Sequence, residues 1–311
     1  MKLHRFAFAA AGLAAAVLFT GWIARAQTRH HDVNISVENG RAESCADLRV
    51  RSSGEIAQAA ESYTLQRGEV PVLEVNAADR GAIRVSGSAR SDFTVNVCKI
   101  AAAEDRATAG QLLSSLTVSR LGGRFTANAP TTRSQNSDWQ VYFIVHAPSD
   151  ARVNLETKNG PIEIASITGG IQAKSTNGPL SLSNCAGTID ARTTNGPISF
   201  SGVGGDVQLN TTNGPISLKL ANDVWSGPRL EAHTTNGPVS LAVPETFQTA
   251  LRVETDGHSP MSCRISACEH AMTDATTDRK TLQINGSSDT VRVSTSNGPI
   301  SVGTENRKKI I

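Results

Sequence analysis

Residues 189–218 read IDARTTNGPISFSGVGGDVQLNTTNGPISL and contain the same unit twice. The tripeptide Asn-Gly-Pro marks each unit, and it occurs four more times along the chain. The first four copies are evenly spaced at about 18 residues, and the fifth follows after a longer interval. Internal repeats of this length predict an architecture built by stacking similar units. The asparagines of the six copies are Asn159, Asn177, Asn195, Asn213, Asn236 and Asn297.

Apolar residues recur at constant offsets from each of these asparagines. The offsets −6, −4, +3 and +5 are apolar in all six copies, whereas the intervening offsets −5 and +4 are polar. In the copy at Asn195, for example, Ile198 and Phe200 flank Ser199. Alternation with a period of two predicts strands that bury one face and expose the other. Each unit therefore holds two short strands.

A unit this short cannot bury its own apolar face, but similar units stacked on one another can. We therefore predict an all-β fold: a single-chain parallel β-solenoid (β-helix) of ~18-residue Asn-Gly-Pro repeats with a β-rich N-terminal lead-in. We expect Asn-Gly to turn the chain, because both residues tolerate positive φ, and the six asparagines to form a ladder along one edge. A β-propeller is the competing architecture, but its blades repeat at about 40–50 residues.

The pattern divides the chain into four segments. Residues 1–26 are predicted to be a signal peptide, 27–69 an irregular N-terminal lead, and 70–138 a β-rich lead-in with a short helix. Residues 139–311 are predicted to be the repeat domain, with loop insertions near 222–228 and 257–278. Counting back one repeat length from Asn297 reaches Arg279, and Leu282 and Ile284 then fall at the apolar offsets. We expect a further rung there, without the turn motif.

The first 26 residues have the layout of a secretory signal. Lys2 and Arg5 precede an apolar run at residues 6–23, and Ala24-Arg25-Ala26 resembles a cleavage site. Such a segment engages the membrane during export, and it places the rest of the chain in the periplasm, the cell envelope or the extracellular space. The alternative is an anchor formed by uncleaved residues 6–24, because the apolar run is nearly long enough to span a bilayer.

Five cysteines follow, and export makes disulfides chemically accessible to them. Cys263 and Cys268 are close enough to close a small loop, and we predict this bond. Cys45 with Cys98 is a further pairing that spacing does not support. Cys185 occupies an apolar position of the repeat, so we expect a buried, unpaired thiol there.

The unit Thr-x-Asn-Gly-x-Ile-x-[Val/Leu/Ile], repeated behind a signal segment, resembles the bacterial putative-adhesin family of β-strand-repeat proteins. The matching residues include Thr193-Thr194-Asn195-Gly196-Pro197-Ile198-Ser199-Phe200, and the resemblance extends over residues 73–302. It implies a right-handed β-solenoid fold and an envelope-associated, adhesion-like role, although the family is a domain of unknown function. Many members carry Asp after Asn-Gly, whereas all six copies here carry Pro, which removes a column of carboxylates suited to calcium.

The composition and motifs argue against several classes of function. The formal net charge is only +2 and aromatic residues make up 4% of the chain, so no nucleic-acid partner is expected. A polysaccharide-cleaving site would need clustered carboxylates, but Glu163 and Asp190 fall on different strands. Cys263, Cys268 and His270 match no common zinc spacing. We predict no catalytic residue, no metal and no cofactor.

Two functional hypotheses of different classes remain. The first is a non-catalytic exported scaffold that binds an unknown envelope, surface or protein partner. The alternative is a carbohydrate-active β-helix enzyme that acts on a polysaccharide. For the first, the outward Ser181, Ser199 and Ser217 form the candidate contact face. Oligomers by end-to-end stacking are a further expectation, because the last rung exposes strand edges unless the polar tail at residues 305–309 caps it.

Overall fold

The computed structural model describes residues 33–38, 42–130, 136–256, 258–276 and 278–304. Most of these residues lie in β-strands, with one α-helix, α1 (Arg106–Ser115), and three short 3-10 helices at Cys45–Asp47, Arg67–Glu69 and Ser266–His270. The strands in chain order are β1 (Ile35–Glu38), β2 (Arg49–Ser52), β3 (Glu55–Gln66), β4 (Leu73–Asn76), β5 (Gly81–Ser88), β6 (Asp92–Ala103), β7 (Thr117–Leu121), β8 (Arg124–Asn128), β9 (Ser137–Pro148), β10 (Arg152–Thr157), β11 (Ile162–Ala165), β12 (Gly170–Ser175), β13 (Leu180–Cys185), β14 (Thr188–Asn195), β15 (Ile198–Gly202), β16 (Gly204–Asn213), β17 (Ile216–Leu220), β18 (Ser226–Asn236), β19 (Val239–Ala242), β20 (Leu251–Thr255), β21 (Met261–Cys263), β22 (Met272–Ala275), β23 (Lys280–Ile284), β24 (Val291–Asn297) and β25 (Ile300–Gly303).

Two long sheets form the body, one of 12 strands and one of 11 strands. From β10 to β19 the chain alternates between them, so that each pair of strands makes one rung. Neighbouring rungs pair in parallel one repeat apart, as in Val153 opposite Ile171 and Ile162 opposite Leu180. The apolar offsets of all six repeats point between the two sheets, and none of these side chains is more than 3% exposed. Their stacking makes one continuous core along the solenoid.

The N-terminal end differs from the expected domain boundaries. β4 and β5 form a rung that lies between the rung of β8 and β9 and the rung of β10 and β11, out of chain order. Leu73 pairs opposite Val153, and Ile83 pairs opposite Ile162. The solenoid therefore begins before residue 139, because residues 73–88 carry the same apolar alternation without the turn motif.

The lead at residues 27–69 was expected to be irregular, but its described part contains β1, β2 and the 12-residue β3. β1 and β2 pair antiparallel and pack on the outer face of the 11-stranded sheet, against Ile100 and Ala102. Helix α1 lies within the segment predicted to hold a short helix, and the Asp105 carboxylate caps it by accepting from the Thr108 N–H. No helix of the described residues is long and apolar enough to cross a membrane.

At the C-terminal end, the expected rung at Arg279 is wrong. β23, which carries Leu282 and Ile284, pairs antiparallel with β20, and so it does not continue the parallel stack. The outermost rung is instead formed by β20 and β21, which pair with β24 and β25 although they precede them in the chain. Period-two alternation predicts which residues face the core, but it carries no information on strand direction.

The two predicted loop insertions contain ordered structure. Trp225 in the first is buried, with its ring centroid 6.2 Å from that of Phe200 and its Nε1–H donating to the Gly205 carbonyl at 3.2 Å. The second, at residues 257–278, includes β21, the 3-10 helix at Ser266–His270 and β22. Both insertions therefore pack against the core, whereas the sequence predicted loops that project from it. The signal segment and the tail at residues 305–309 lie outside the described residues.

Candidate functional site: polar ladders and an exposed serine face

The Asn-Gly-Pro turns stack along one edge of the solenoid and hold a continuous ladder of side-chain amides. The Nδ2 of Asn195 donates to the Oδ1 of Asn177 at 2.8 Å, and the Nδ2 of Asn213 donates to the Oδ1 of Asn195 at 2.8 Å. Asn236 and Asn297 extend the ladder at 2.9 Å each. Each amide is both donor and acceptor, so the polar groups of one turn are satisfied by the next.

The glycines of these turns are required for close stacking. None of the six asparagines has a positive φ, and Gly298 alone among the six glycines has one, so our explanation of the Asn-Gly pair was wrong. A Cβ on Gly196 would overlap the carbonyl oxygen of Gly178 on the preceding rung, and the other copies repeat this geometry. That carbonyl accepts from the buried Thr193 hydroxyl at 3.1 Å. The missing side chain makes room for both the backbone and this hydrogen bond.

An exposed column of serines runs along the outer face of the 11-stranded sheet. Ser181, Ser199 and Ser217 are directly opposite one another on adjacent strands, and all three are exposed. The register continues through Ser240 and Ser301. The candidate contact face is therefore part of one straight line of hydroxyls, which we call the serine face, made of Ser181, Ser199, Ser217, Ser240, Ser301 and Ser262.

Sequence analysis missed Ser262, the last member of the serine face. It lies in β21, which pairs beyond β25 and places the half-buried Ser262 opposite Ser301. The signal was present, because Pro260 precedes Ser262 by two residues as Pro197 precedes Ser199. The Pro260 carbonyl also accepts from the Ile300 N–H at 3.0 Å, as prolines of the repeat do. The Asn-Gly of the motif is absent there, which hid the match.

Exposed prolines line the same face on the side of the turns. Pro179, Pro197, Pro215, Pro238 and Pro299 are all exposed, one on each rung. At the N-terminal end of the column, charge appears: Glu163 accepts from Arg84 at 2.8 Å on the neighbouring strand. The serine face is thus an uncharged strip of hydroxyls and proline rings, repeated about every 4.8 Å.

The outer face of the 12-stranded sheet carries charges and one polar cleft of about 380 Å³ near its C-terminal end. Glu254 lies buried at its base and accepts from Arg292 Nε at 2.9 Å and from Arg252 Nε at 2.9 Å. Burial raises the pKa of the Glu254 carboxyl, but the hydrogen bonds from Arg292 and Arg252 outweigh it and the net shift is downward. His233 is half-buried there with Nδ1 2.9 Å from the Ser294 hydroxyl.

The other candidate residues for catalysis or metal binding do not lie together. Glu163 and Asp190 lie on β11 and β14, which belong to different sheets. The part of the chain that the structure describes holds no group of three or more His, Cys, Asp or Glu side chains that could bind a metal ion. Cys263 and Cys268 are joined in a disulfide, and Cys45 is bonded to Cys98. Cys185 is free and buried, and burial raises the pKa of its thiol.

Comparison with known proteins shows the family. The model of the Toastrack DUF4097 family matches residues 113–303, and the chain belongs to this family of β-solenoid-like domains. Two solved structures share 9% identity over 80% of this chain. They are a putative cell adhesion protein from Clostridium sporogenes, covered completely with a TM-score of 0.33, and a putative adhesin from Bacteroides fragilis, covered to 97% with a TM-score of 0.32. No curated protein sequence matches.

Together, the sheets and the family match confirm the all-β, solenoid-like fold and the membership in a family of domains of unknown function.

Proposed function

We propose that this chain is a non-catalytic, exported scaffold that binds an envelope, surface or protein partner through the serine face. The observation that carries the proposal is the straight line of hydroxyls on consecutive strands of one sheet. The need to fill the core explains the apolar residues, and the need for hydrogen bonds in the turns explains the asparagines. Neither need explains why serine recurs at an outward-facing position in consecutive strands.

The geometry favours many weak contacts over one tight pocket. A flat, uncharged strip offers no concavity in which a small molecule would lose most of its hydration. A repetitive or extended partner, in contrast, can meet several rungs at once, and linked contacts raise the effective affinity without any strong single site. This property fits adhesion-like contact with a surface.

The export in this proposal rests on the signal-like N-terminal sequence and is supported by the two disulfides. The Cys45–Cys98 and Cys263–Cys268 bonds are typical of proteins that fold outside the reducing cytosol. The apolar N-terminal segment would engage the membrane during export, and cleavage after Ala26 would release the scaffold to the periplasm or beyond. Retention of residues 6–24 would instead anchor it to the membrane.

The test replaces three exposed serines together. In the variant Ser181→Lys, Ser199→Lys and Ser217→Lys, we expect an intact fold whose melting temperature falls by no more than about 5 °C, because opposed exposed lysines repel one another weakly. We also expect at least a tenfold loss of binding to cells or envelope fractions. The matched control carries the same added charge on the other sheet, as Asn154→Lys, Gln172→Lys and Asn210→Lys. If both triple variants bind as the wild type does, the serine face is not the contact surface. If both lose binding equally, charge alone explains the effect.

The enzymatic alternative has its own test. Purified protein is incubated with a panel of pectins, acidic glycans and peptidoglycan, and products are measured by reducing-end release and mass spectrometry. We expect no product above the heat-inactivated control. Reproducible depolymerisation would replace the scaffold proposal with a carbohydrate-active enzyme.

A further inference from the structure

One long strand edge of the 11-stranded sheet has no partner within the described residues. β3 is the last strand of that sheet, and it pairs along its full 12 residues with β6 on one side. Its backbone groups on the other side face outward and can form hydrogen bonds with a further strand. An edge of this length can hold a partner strand in a defined register.

This edge lacks most of the features that usually block strand addition. β3 contains no Pro and no Lys, and its pairing with β6 runs from Glu55 to Gln66 without a bulge. The charge of Glu61, which lies on the core side of the strand, is paired with Lys99. The other terminal strands of the two sheets are short: β21 has three residues, β22 has four and β7 has five. β3 is therefore the edge best suited to hold a partner.

The sequence of β3 fits a second copy of itself. A two-fold axis perpendicular to the sheet pairs two antiparallel β3 strands so that opposite residues share a face. With Ala60 on the axis, Gln58 lies opposite Ser62, Ile56 opposite Thr64, and Ala57 opposite Tyr63. Gln58, Ala60, Ser62 and Thr64 are exposed, so the outer side of this pairing is unobstructed by described residues.

Charge selects this register over the next one. With Ala60 on the axis, Glu61 faces Ala59, and its carboxylate stays with its own Lys99 Nζ and Tyr63 hydroxyl, both at 2.5 Å. Shifting the axis to Glu61 would place two carboxylates directly opposite each other, which is unfavourable. The edge is thus self-complementary with Ala60 on the axis.

We propose that two copies of this chain dimerise by antiparallel pairing of their β3 strands, which joins the two 11-stranded sheets into one. This differs from the end-to-end stacking expected from the sequence, which would use the C-terminal rung. Such a dimer places two serine faces in one assembly, and it stands whether or not that face is the contact surface.

A cysteine placed on the axis tests the register directly. In a dimer, the two copies of residue 60 have Cα atoms about 4.5–5.5 Å apart, within the range of a disulfide. The variant Ala60→Cys is therefore expected to form an intermolecular disulfide under mild oxidation. The matched control Thr64→Cys keeps the same strand, face and exposure, but its two copies lie about 26 Å apart and do not cross-link.

A second variant tests the assembly without cross-linking. Ala60→Glu opposes two carboxylates at the axis, and we expect the dimer dissociation constant, measured by analytical ultracentrifugation, to rise about tenfold or more. Its melting temperature as a monomer should match the wild type, because the side chain is exposed. Two results would overturn the proposal: a wild-type protein that stays monomeric at about 100 μM, or equal cross-linking of Ala60→Cys and Thr64→Cys. The first result is also the one expected if another part of the chain covers β3.

Discussion

At the residue scale, the turn glycines show how stacking restricts a position that local conformation would leave free. The φ angle at Gly196 does not require glycine, since it is absent from the positive-φ residues. The lack of space around Gly196 does require glycine, because a Cβ would overlap the Gly178 carbonyl one rung away. A residue type that a single turn would tolerate is thus excluded by the neighbouring rung.

We predict that Gly196→Ala destabilises the fold by about 1–3 kcal/mol, the usual cost of overpacking a tight site. The backbone of two rungs must separate to accept the methyl group, which also weakens the Thr193 hydrogen bond to Gly178. Chemical denaturation gives the free energy of unfolding. The control is Gly303→Ala, where a Cβ would meet nothing within 4 Å. Equal stability of both variants would contradict the stacking explanation.

A second prediction at the residue scale concerns Glu254, whose side chain is 7% exposed and hydrogen-bonded to two arginines. We expect Glu254→Gln to lower the free energy of unfolding by about 1–3 kcal/mol at pH 7, because Arg252 and Arg292 lose their charged acceptor. The pair of Glu74 and Arg124, which is more exposed than Glu254, is the control, since Glu74→Gln should cost under about 1 kcal/mol.

The pH dependence of this effect has a defined sign. The folded-state pKa of Glu254 lies below its ordinary value, so its contribution is complete above the unfolded-state pKa and is lost as pH falls through the folded-state value. The stability difference between wild type and Glu254→Gln should therefore be constant near pH 7 and shrink below about pH 4. A difference that grows on acidification would contradict the ion-pair assignment.

At the element scale, neighbouring residues of one strand point to opposite faces of the sheet, so a shift of one residue exchanges a core position for an exposed one. Ile198 is 0% exposed between the sheets, whereas Ser199 is exposed on the outer face. We predict that Ile198→Asp unfolds its neighbouring rungs and lowers the melting temperature by more than about 10 °C, because it buries an unpaired charge. Ser199→Asp should melt within about 2 °C of wild type, as expected for an exposed position. Similar melting of the two variants would reverse the face assignment.

Whether the sequence could predict the position of a strand depends on which strands pair with it. Between β10 and β19, each strand pairs with the equivalent residues of the next copy, so one repeat predicts the environment of the next. β4 and β20 pair out of chain order, and no periodic count from Asn159 or Asn297 reaches them. Likewise, the alternation at Leu282 and Ile284 shows a buried face in either strand direction, which explains the error at β23.

At the scale of the whole molecule, the two ends of the solenoid are closed by similar means. At each end a rung is placed out of chain order. Antiparallel strands then follow in both sheets at the N-terminal end, as β7 and β6, and in the 12-stranded sheet at the C-terminal end, as β23. A change from parallel to antiparallel pairing ends the register of the repeat, so a further copy cannot continue the stack there. The open edge of β3 is consequently determined by the N-terminal cap and not by the repeats.

The two disulfides should contribute unequally to the stability of the whole molecule. Cys45–Cys98 closes a segment of 53 residues and holds the N-terminal lead to β6, whereas Cys263–Cys268 closes a segment of 5. Because the entropy removed from the unfolded chain grows with loop length, we expect losses of about 4 and about 2 kcal/mol, respectively. Thermal and denaturant unfolding of Cys45→Ser with Cys98→Ser, against Cys263→Ser with Cys268→Ser, measures both. Hydrogen exchange should also show faster opening of β1 and β2 in the first variant alone, because their packing on Ile100 and Ala102 then lacks a covalent tie. If the shorter loop proves the more important, the lead is held by its packing and the caps of the solenoid do not depend on the longer bond.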